Sequence, residues 1–261
     1  MTGLWSEFGV WGAGVAGIAG LIVGSFLNVL VHRLPRGESV VFPASHCPAC
    51  GSAIVPWDNV PVVSWLLLRG RCRVCRAPIA LRYPVIELSN GLLWFLLARR
   101  VDSWLEFGAG AFLCSACLAL LAIDAEFQIL PDKITLTGIG VGLALSLLGR
   151  NLKGALIGVA VGAGGLYLLA FLYERLAGRE GMGLGDVKML GMIGAFLGPT
   201  GVLLTVLLAS VAGSIVGIGL IALGGGDRKM RLPFGVFLSL GTIATLFFGA
   251  GLVRFYRSFW S

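Results

Sequence analysis

The stretch "GLGDVKMLGMIGAFLGPTGVLLTVLLASVAGSIVGIGLIAL" (183–223) carries an aspartate and a lysine directly before a long apolar run. A bilayer core requires roughly 20 apolar residues per spanning helix, and this run predicts two spans, a short one over 187–199 and a second over 201–223. A carboxylate at the border of such a helix is costly and usually has a function. Asp186 is therefore the first residue whose presence requires an explanation.

The composition extends the membrane prediction to the whole chain. Of its 261 residues, 57% are hydrophobic and 13% are charged, and the mean hydropathy is +0.92. A soluble domain would need more polar surface to cover its core. The first ten residues contain no Lys or Arg, so the first span is expected to be retained rather than cleaved as a signal. We predict an all-α polytopic membrane protein with about eight transmembrane helices, near 8–31, 84–99, 107–123, 134–149, 154–173, 187–199, 201–223 and 234–253.

The distribution of basic residues predicts the orientation of these spans. If the N-terminus lies outside, 14 of the 20 Lys and Arg residues fall in cytoplasmic loops, which are 32–83, 124–133, 174–188 and 224–233. Positive residues favour the cytoplasmic side of a membrane. The formal charge of +7 needs no nucleic-acid partner, because arginines beside anionic membrane lipid account for it.

The segment 32–83 contains two C-x-x-C pairs, "CPACG" (47–51) and "CRVC" (72–75), and several prolines that favour turns. Two such pairs can supply four thiolates to one tetrahedral ion. This pattern predicts a small cytoplasmic zinc module whose ligands are Cys47, Cys50, Cys72 and Cys75. A site closed by four cysteines has no position for water, so the zinc is expected to be structural.

Other interpretations of the cysteines remain open at this point. The pairs could form a redox dithiol or stay without metal, and His46 could compete as a ligand. The pair "CSAC" (114–117) lies in an apolar span, where small buried hydrophobic side chains are expected. The chain then divides into a first transmembrane helix (1–31), the zinc module (32–83) and a membrane core (84–261).

Two aspartates lie on the predicted cytoplasmic border, Asp124 in "LLAIDAEFQILPD" (120–132) and Asp186. Two adjacent carboxyl groups can share a proton, so that one activates water while the other protonates a carbonyl oxygen. Glycines 183 and 185 would allow a peptide to approach and would permit unusual turns. Because Asp124 ends one span and Asp186 begins another, helix-end electrostatics predicts Asp186 as the base and Asp124 as the acid.

These acidic residues could have other roles, either structural ones at helix ends or proton transfer in a transporter. Asp132, which follows Pro131, is expected to cap a helix N-terminus, and Asp186 could do the same. Asp124 could simply anchor the end of a helix. A proton-coupled membrane transporter would also use two acidic residues, although such residues are expected near mid-membrane rather than at one border.

Taken together, several motifs resemble those of the type IV prepilin peptidases, which share a G-x-G-D motif with other intramembrane aspartyl proteases. The motifs are "GSFLNVLVHRLP" (24–35), the two cysteine pairs, "RYPVIEL" (82–88), "IDAEFQILPD" (123–132) and "GMGLGDVKML" (181–190). The resemblance covers nearly the whole chain. It implies that Asp124 and Asp186 are the catalytic pair.

The resemblance also implies the reaction and its place in the cell. Such enzymes are bifunctional: they remove the basic leader of prepilins and pseudopilins after a glycine, on the cytoplasmic side of the inner membrane. They then methylate the new N-terminal residue, typically phenylalanine, with S-adenosylmethionine, in type IV pilus and type II secretion systems. The cysteine module is typical of the bifunctional branch. A peptidase without methyltransferase activity remains the alternative, and no residue is assigned to S-adenosylmethionine.

Overall fold

A computed structural model of the chain describes residues 9–149, 151–178, 183–223 and 232–259. Throughout these ranges the secondary structure is helical, without strands. The α-helices are α1 (Gly9–Arg33), α2 (Val63–Leu67), α3 (Arg82–Ala98), α4 (Trp104–Phe127), α5 (Asp132–Leu148), α6 (Leu152–Val159), α7 (Gly165–Ala177), α8 (Leu184–Ala222) and α9 (Phe234–Arg257). Short 3₁₀ turns cover Leu34–Arg36 and Pro56–Asn59, and a π-helical turn over Ala160–Gly164 joins α6 to α7.

The prediction of an all-helical polytopic membrane protein is confirmed. In the described part of the chain, five helical segments are long and apolar enough to cross a bilayer, namely Val10–Arg36, Trp104–Phe127, Leu152–Ala177, Leu184–Ala222 and Phe234–Arg257. Two further predicted spans coincide with α3 and α5, each of 17 residues. The count of eight spans stays a prediction.

The chain forms two compact units, residues 1–119 and 120–261. In the first unit, α1 packs closely on α3 through small residues. A Cβ added at Gly20 would lie 2.9 Å from the Asn90 carbonyl oxygen, and one at Gly24 would lie 2.7 Å from the Cα of Glu87. The side chain of Asn90, fully buried, donates to the Gly20 carbonyl at 2.8 Å. The glycines of α1 therefore act in helix packing, as expected for small residues in membrane spans.

In the second unit, α8 is the central helix. Its Gly194 lies against Gly158 of α6 so closely that the backbone of each occupies the position of a Cβ on the other. The helix is broken at Gly198, where φ is 66° and ψ is −175°, directly before Pro199. Only glycine adopts this conformation readily, so Gly198 and Pro199 together end the first part of α8. The break falls at the end of the span predicted over 187–199, directly before the span predicted over 201–223.

Candidate active site and metal centre

The first unit brings the four predicted zinc ligands together. The sulfur atoms of Cys47, Cys50, Cys72 and Cys75 all lie within 4.8 Å of one another. The Sγ atoms of Cys47 and Cys75 are 3.8 Å apart, and all four thiols are free. Sulfur atoms at this separation match the corners of a tetrahedral site with metal–sulfur bonds of about 2.3 Å. The four-cysteine cluster predicted from the sequence is therefore present.

The two cysteine pairs lie in loops with the same backbone pattern, 47–52 and 72–77. In each, the first cysteine N–H donates to the carbonyl five residues later at 2.9 Å. The fifth residue, Gly51 or Arg76, has a left-handed φ of 69° or 62° and donates back to the first cysteine carbonyl. One isolated antiparallel bridge closes each loop. Each pair is thus held with both sulfurs on one side of a tight turn.

In the second loop, backbone N–H groups stabilise the thiolate form of the cysteines. Hydrogen bonds from the N–H groups of Cys75 and Val74 lower the pKa of the Cys72 thiol to about 6. Although the Ala77 N–H favours its thiolate, desolvation and the neighbouring sulfurs raise the pKa of the Cys75 thiol to about 11. Four adjacent thiols cannot all ionise without a neutralising charge. A divalent cation at the centre of the cluster would supply that charge, so the donor set fits zinc.

The second loop is also tied to the rest of the module. Arg73 donates from Nε and Nη2 to the two carboxylate oxygens of Asp58, both at 2.6 Å. His46 lies beside the cluster, but its Nδ1 is 3.1 Å from the Ala44 carbonyl oxygen. Neither cysteine of the "CSAC" pair belongs to the cluster, and Cys114 and Cys117 are fully buried in α4. The expectation that these two cysteines pack as small hydrophobic side chains fits this burial.

In the second unit, the Asp124 carboxylate is enclosed by the start of α9. The residue is 5% exposed and lies one turn before the end of α4. Its Oδ2 accepts a hydrogen bond from the backbone N–H of Val236 at 3.0 Å. A Cβ added at Gly235 would lie 2.8 Å from the same oxygen, so only glycine fits there without displacing the carboxyl group. The chain therefore holds Asp124 between two helix ends.

Asp186 lies in the first turn of α8 and is half-buried. The two carboxyl groups are close enough for a Coulombic interaction. The Leu130 side chain lies against the start of α8, which carries Asp186, and against the start of α9, which encloses Asp124. A Cβ on Gly185 would lie 3.1 Å from the Leu130 Cβ, and one on Gly235 would lie 2.9 Å from the Leu130 Cδ2. Leu130 thus packs against Gly185, which precedes Asp186 in sequence, and against Gly235, which lies next to the Asp124 carboxylate in space.

The unusual turn expected of the glycines in the G-x-G-D stretch is absent at Gly183 and Gly185, and the approach of a peptide to these glycines stays a prediction. Gly183 precedes α8 with a φ of −74°, which any residue can adopt, and Gly185 is helical. Gly185 has no side chain and so allows Leu130 to pack closely against α8; its own backbone makes no unusual turn. Gly181 lies outside the described residues.

Asp132 does not cap a helix, contrary to the prediction. Pro131 occupies the N-cap position of α5, and Asp132 is the first helical residue. Both of its carboxylate oxygens accept hydrogen bonds from Lys188 Nζ at 2.8 Å. The prediction failed because Lys188, 56 residues away in sequence, supplies a partner that local sequence rules cannot include. The Lys188 side chain therefore points to Asp132, on the exposed side of α8.

The predicted division of acid and base roles also loses its basis. It assumed that only Asp186 lies at a helix N-terminus, yet Asp124 contacts the N-terminus of α9 through Val236. Helix-end electrostatics therefore does not distinguish the two residues. Sequence reasoning missed Gly235 and Val236 as parts of the site. The signal that could have found them is "PFG" (233–235), a proline and a glycine at the start of the last apolar run.

Comparison with known proteins identifies two family models along the chain. Residues 18–101 match the bacterial peptidase A24 N-terminal domain, and residues 111–218 match the type IV leader peptidase family. No solved structure shows significant similarity to the chain.

Relatives with curated names match over nearly the full length. A protein of Burkholderia pseudomallei (strain 1026b) is 42% identical over 89% of this chain and 84% of the relative. A Pseudomonas aeruginosa protein is 36% identical over 93% and 92%, and an Aeromonas hydrophila protein is 37% identical over 90% of each. All three are named prepilin leader peptidase/N-methyltransferase. The names favour neither a transporter nor a peptidase that lacks methyltransferase activity. The matched domains, the extent of the similarity and the helical architecture together place this chain in the type IV leader peptidase family.

Proposed function

We propose that this protein removes the basic leader of prepilins and pseudopilins after a glycine and then methylates the new N-terminal residue, typically phenylalanine, with S-adenosylmethionine. Asp124 and Asp186 are the catalytic pair. The observation that carries the proposal is the Coulombic interaction between these two carboxyl groups, in a chain of the type IV leader peptidase family. The names of the relatives support both activities.

The pair can perform peptide hydrolysis by general acid and base catalysis. One carboxylate takes a proton from water, whose oxygen attacks the carbonyl carbon of the scissile bond, while the other carboxyl group protonates the carbonyl oxygen. Collapse of the tetrahedral intermediate breaks the C–N bond. The leaving amine takes the proton that the first carboxylate removed from water, and the other carboxylate recovers its proton from a hydroxyl of the intermediate as the new carboxyl group forms. The Val236 N–H fixes the orientation of Asp124 during these steps, because it bonds one of the two carboxylate oxygens.

The cysteine cluster is proposed to hold a structural zinc ion. Cys47, Cys50, Cys72 and Cys75 would bind it, and it would lock the two loops of the module without taking part in chemistry. The zinc module (32–83) would then be a folded insertion beside the membrane. It follows the first helix (1–31) and precedes the membrane core (84–261). Its presence supports the bifunctional reading of the chain.

The proposed location is the bacterial inner membrane, with the catalytic pair and the zinc module on the cytoplasmic side. The excess of Lys and Arg in the loops 32–83, 124–133, 174–188 and 224–233 supports this orientation. Free thiols also suit a reducing compartment. Prepilins carry their leaders on this side, so substrate and site would meet there.

Coexpression with a prepilin tests the proposal. Mass analysis of the purified pilin should give a mature chain that lacks its leader and carries one added methyl group at its N-terminus. Cleavage without the added mass would support a peptidase alone, and an unprocessed prepilin would contradict the proposal. Asp186→Asn serves as the inactive control, because it keeps the size of the side chain and removes its acid.

A further inference from the structure

The cytoplasmic module has an edge of exposed apolar side chains that its own fold does not cover. Trp57 is 68% exposed, and the following residues on the same segment are 45–78% exposed; they are Val60, Val63, Leu66 and Leu67. We refer to these five residues as the apolar edge. In α2, Val63, Leu66 and Leu67 lie at i, i+3 and i+4 and so share one helix face. Contiguous exposed apolar surface of this kind marks a contact with a partner or a membrane.

The opposite side of the same segment faces the interior of the module. The Ser64 hydroxyl, buried, donates to the Trp57 carbonyl at 2.8 Å, and Trp65 Nε1 donates to the Ile79 carbonyl at 3.1 Å. The Trp65 ring also covers Gly70, where an added Cβ would lie 2.8 Å from it. These bonds fix the rotation of α2, so the apolar edge cannot turn inward without breaking them.

A hydrogen bond places this segment beside the membrane helices rather than beyond their ends. The backbone N–H of Val62 donates to the buried Glu87 carboxylate at 2.7 Å. Glu87 lies five residues into α3, about 7.5 Å along its axis, and glutamate side chains lean toward the helix N-terminus. Val62 therefore lies level with the first turn of α3, and Glu87 itself packs against Gly24, nine residues before the end of α1.

The backbone at this contact is strained, which shows that the position is enforced. Val62 has a φ of 62°, and a left-handed conformation is rare for a β-branched residue. Exposed arginines, Arg69 and Arg71, follow α2 directly. Apolar side chains next to arginines, at the level where membrane helices begin, match the headgroup region of a bilayer with anionic lipids.

We propose that the apolar edge lies in the headgroup region of the lipid bilayer and holds the zinc module on the membrane surface. Trp57 is suited to this position, because tryptophan prefers the membrane–water interface. The arginines after α2 would contact lipid phosphates, while the cysteine loops remain in water. The proposal concerns the attachment of the module and does not depend on the enzymatic reaction.

The test uses the full chain in lipid nanodiscs with fluorotryptophan incorporated, and Trp57→Phe assigns the Trp57 fluorine signal. We expect a phospholipid with a nitroxide near its headgroup to broaden this signal strongly. A water-soluble paramagnetic chelate should affect it little. Trp65, which faces the module interior, is the internal control and should respond weakly to both probes. Broadening of Trp57 by the chelate alone would overturn the proposal. So would shielding that appears only after a prepilin is added, because the edge would then be a substrate site.

A second measurement follows the attachment itself. The double variant Leu66→Ser/Leu67→Ser should detach the edge and raise the rate of tryptic cleavage after Arg69 or Arg71 in nanodiscs by about tenfold or more. Val41→Ser removes a similarly exposed apolar side chain, 67% exposed, from outside the edge and outside both cysteine loops, and should leave the rate unchanged. Bound zinc, measured in both variants, reports that the module remains folded. Equal rates in the two variants with zinc retained would contradict the proposal.

Discussion

The Asp124 carboxylate accepts a hydrogen bond from the backbone N–H of Val236, which ties the last turn of α4 to the first turn of α9. The two residues are 112 positions apart in sequence. The bond orients a buried acid at a helix N-terminus, where anionic groups are stabilised. Gly235, the residue before Val236, lies so close to the Asp124 carboxylate that an added Cβ would not fit between them. The position of the acid therefore depends on a residue without a side chain.

Gly235→Ala should therefore reduce cleavage strongly. The new Cβ would lie 2.8 Å from Asp124 Oδ2 and 2.9 Å from Leu130 Cδ2, so the carboxyl group and Leu130 must both move. A misplacement of about 1 Å at a catalytic group can reduce the rate by roughly 100-fold. Prepilin cleavage in membranes, measured at several substrate concentrations, should give a lower kcat with a smaller change in KM.

Gly251→Ala is the matched control on the same helix. A Cβ at Gly251 meets nothing within 4 Å, so this change should leave cleavage unchanged. If Gly235→Ala cleaved as fast as Gly251→Ala, the contact between α9 and Asp124 would have no role in catalysis.

Replacing either proposed catalytic acid should abolish cleavage. Asp124→Asn and Asp186→Asn each remove one of the two groups that transfer protons, and such groups typically contribute about 10²–10⁴-fold to the rate. The residual activity should be measured with purified prepilin by mass spectrometry. Methylation of a pre-cleaved pilin should persist in both variants if the methyltransferase site uses other residues. Normal cleavage by Asp124→Asn would show that a different acid pairs with Asp186.

Asp132→Asn tests whether the neighbouring acid is dispensable. Asp132 pairs with Lys188 at the protein surface, and its side chain is 55% exposed. Exposed ion pairs contribute about 0–1 kcal/mol to stability, so the variant should fold and cleave nearly as well as the natural chain. Loss of cleavage with retained thermal stability would assign Asp132 to the site and contradict this prediction.

Candidate site residues could be named from the sequence, whereas the groups that surround them could not. Two C-x-x-C pairs recur within one short segment, and the spacing alone predicts a shared cluster, because each pair forms its own local turn. Acidic residues in apolar runs are also evident without a structure, because their cost in a membrane is high. Both kinds of signal are local.

The contacts that the sequence did not reveal are all long-range. Val236 reaches Asp124, Lys188 reaches Asp132, and the Val62 N–H reaches Glu87 across intervening helices or loops. Such pairings depend on helix packing, which local sequence patterns do not determine. For the same reason the local rule for helix caps gave the wrong role to Asp132: the rule weighs neighbours in sequence, while its partner lies on another helix.

Loss of zinc should separate the two proposed activities. Cys47→Ser removes one of four thiolates and should lower bound zinc from about one ion per chain to well below that value. The module should then become sensitive to proteolysis, and methylation should fall more than cleavage because the proposed catalytic aspartates lie on other segments. Cys114→Ala, in the buried pair of α4, should keep its zinc. Full zinc binding by Cys47→Ser would exclude the proposed ligand set.

The contact between α6 and α8 predicts a difference in stability between two glycines of the second unit. A Cβ at Gly158 would overlap the backbone of Gly194, and backbone cannot rotate away as a side chain can, so Gly158→Ala must separate the helices. Overpacking of this kind typically costs about 1–3 kcal/mol, and a contact with backbone should lie at the upper end. Gly165→Ala, where a Cβ meets nothing within 4 Å, should instead stabilise its helix by about 0.5–1 kcal/mol. Thermal unfolding in the same detergent should therefore give a lower Tm for Gly158→Ala and an unchanged or higher Tm for Gly165→Ala. Equal Tm values would mean that α6 and α8 are not in backbone contact at Gly194, and the packing of the central helix would need to be revised.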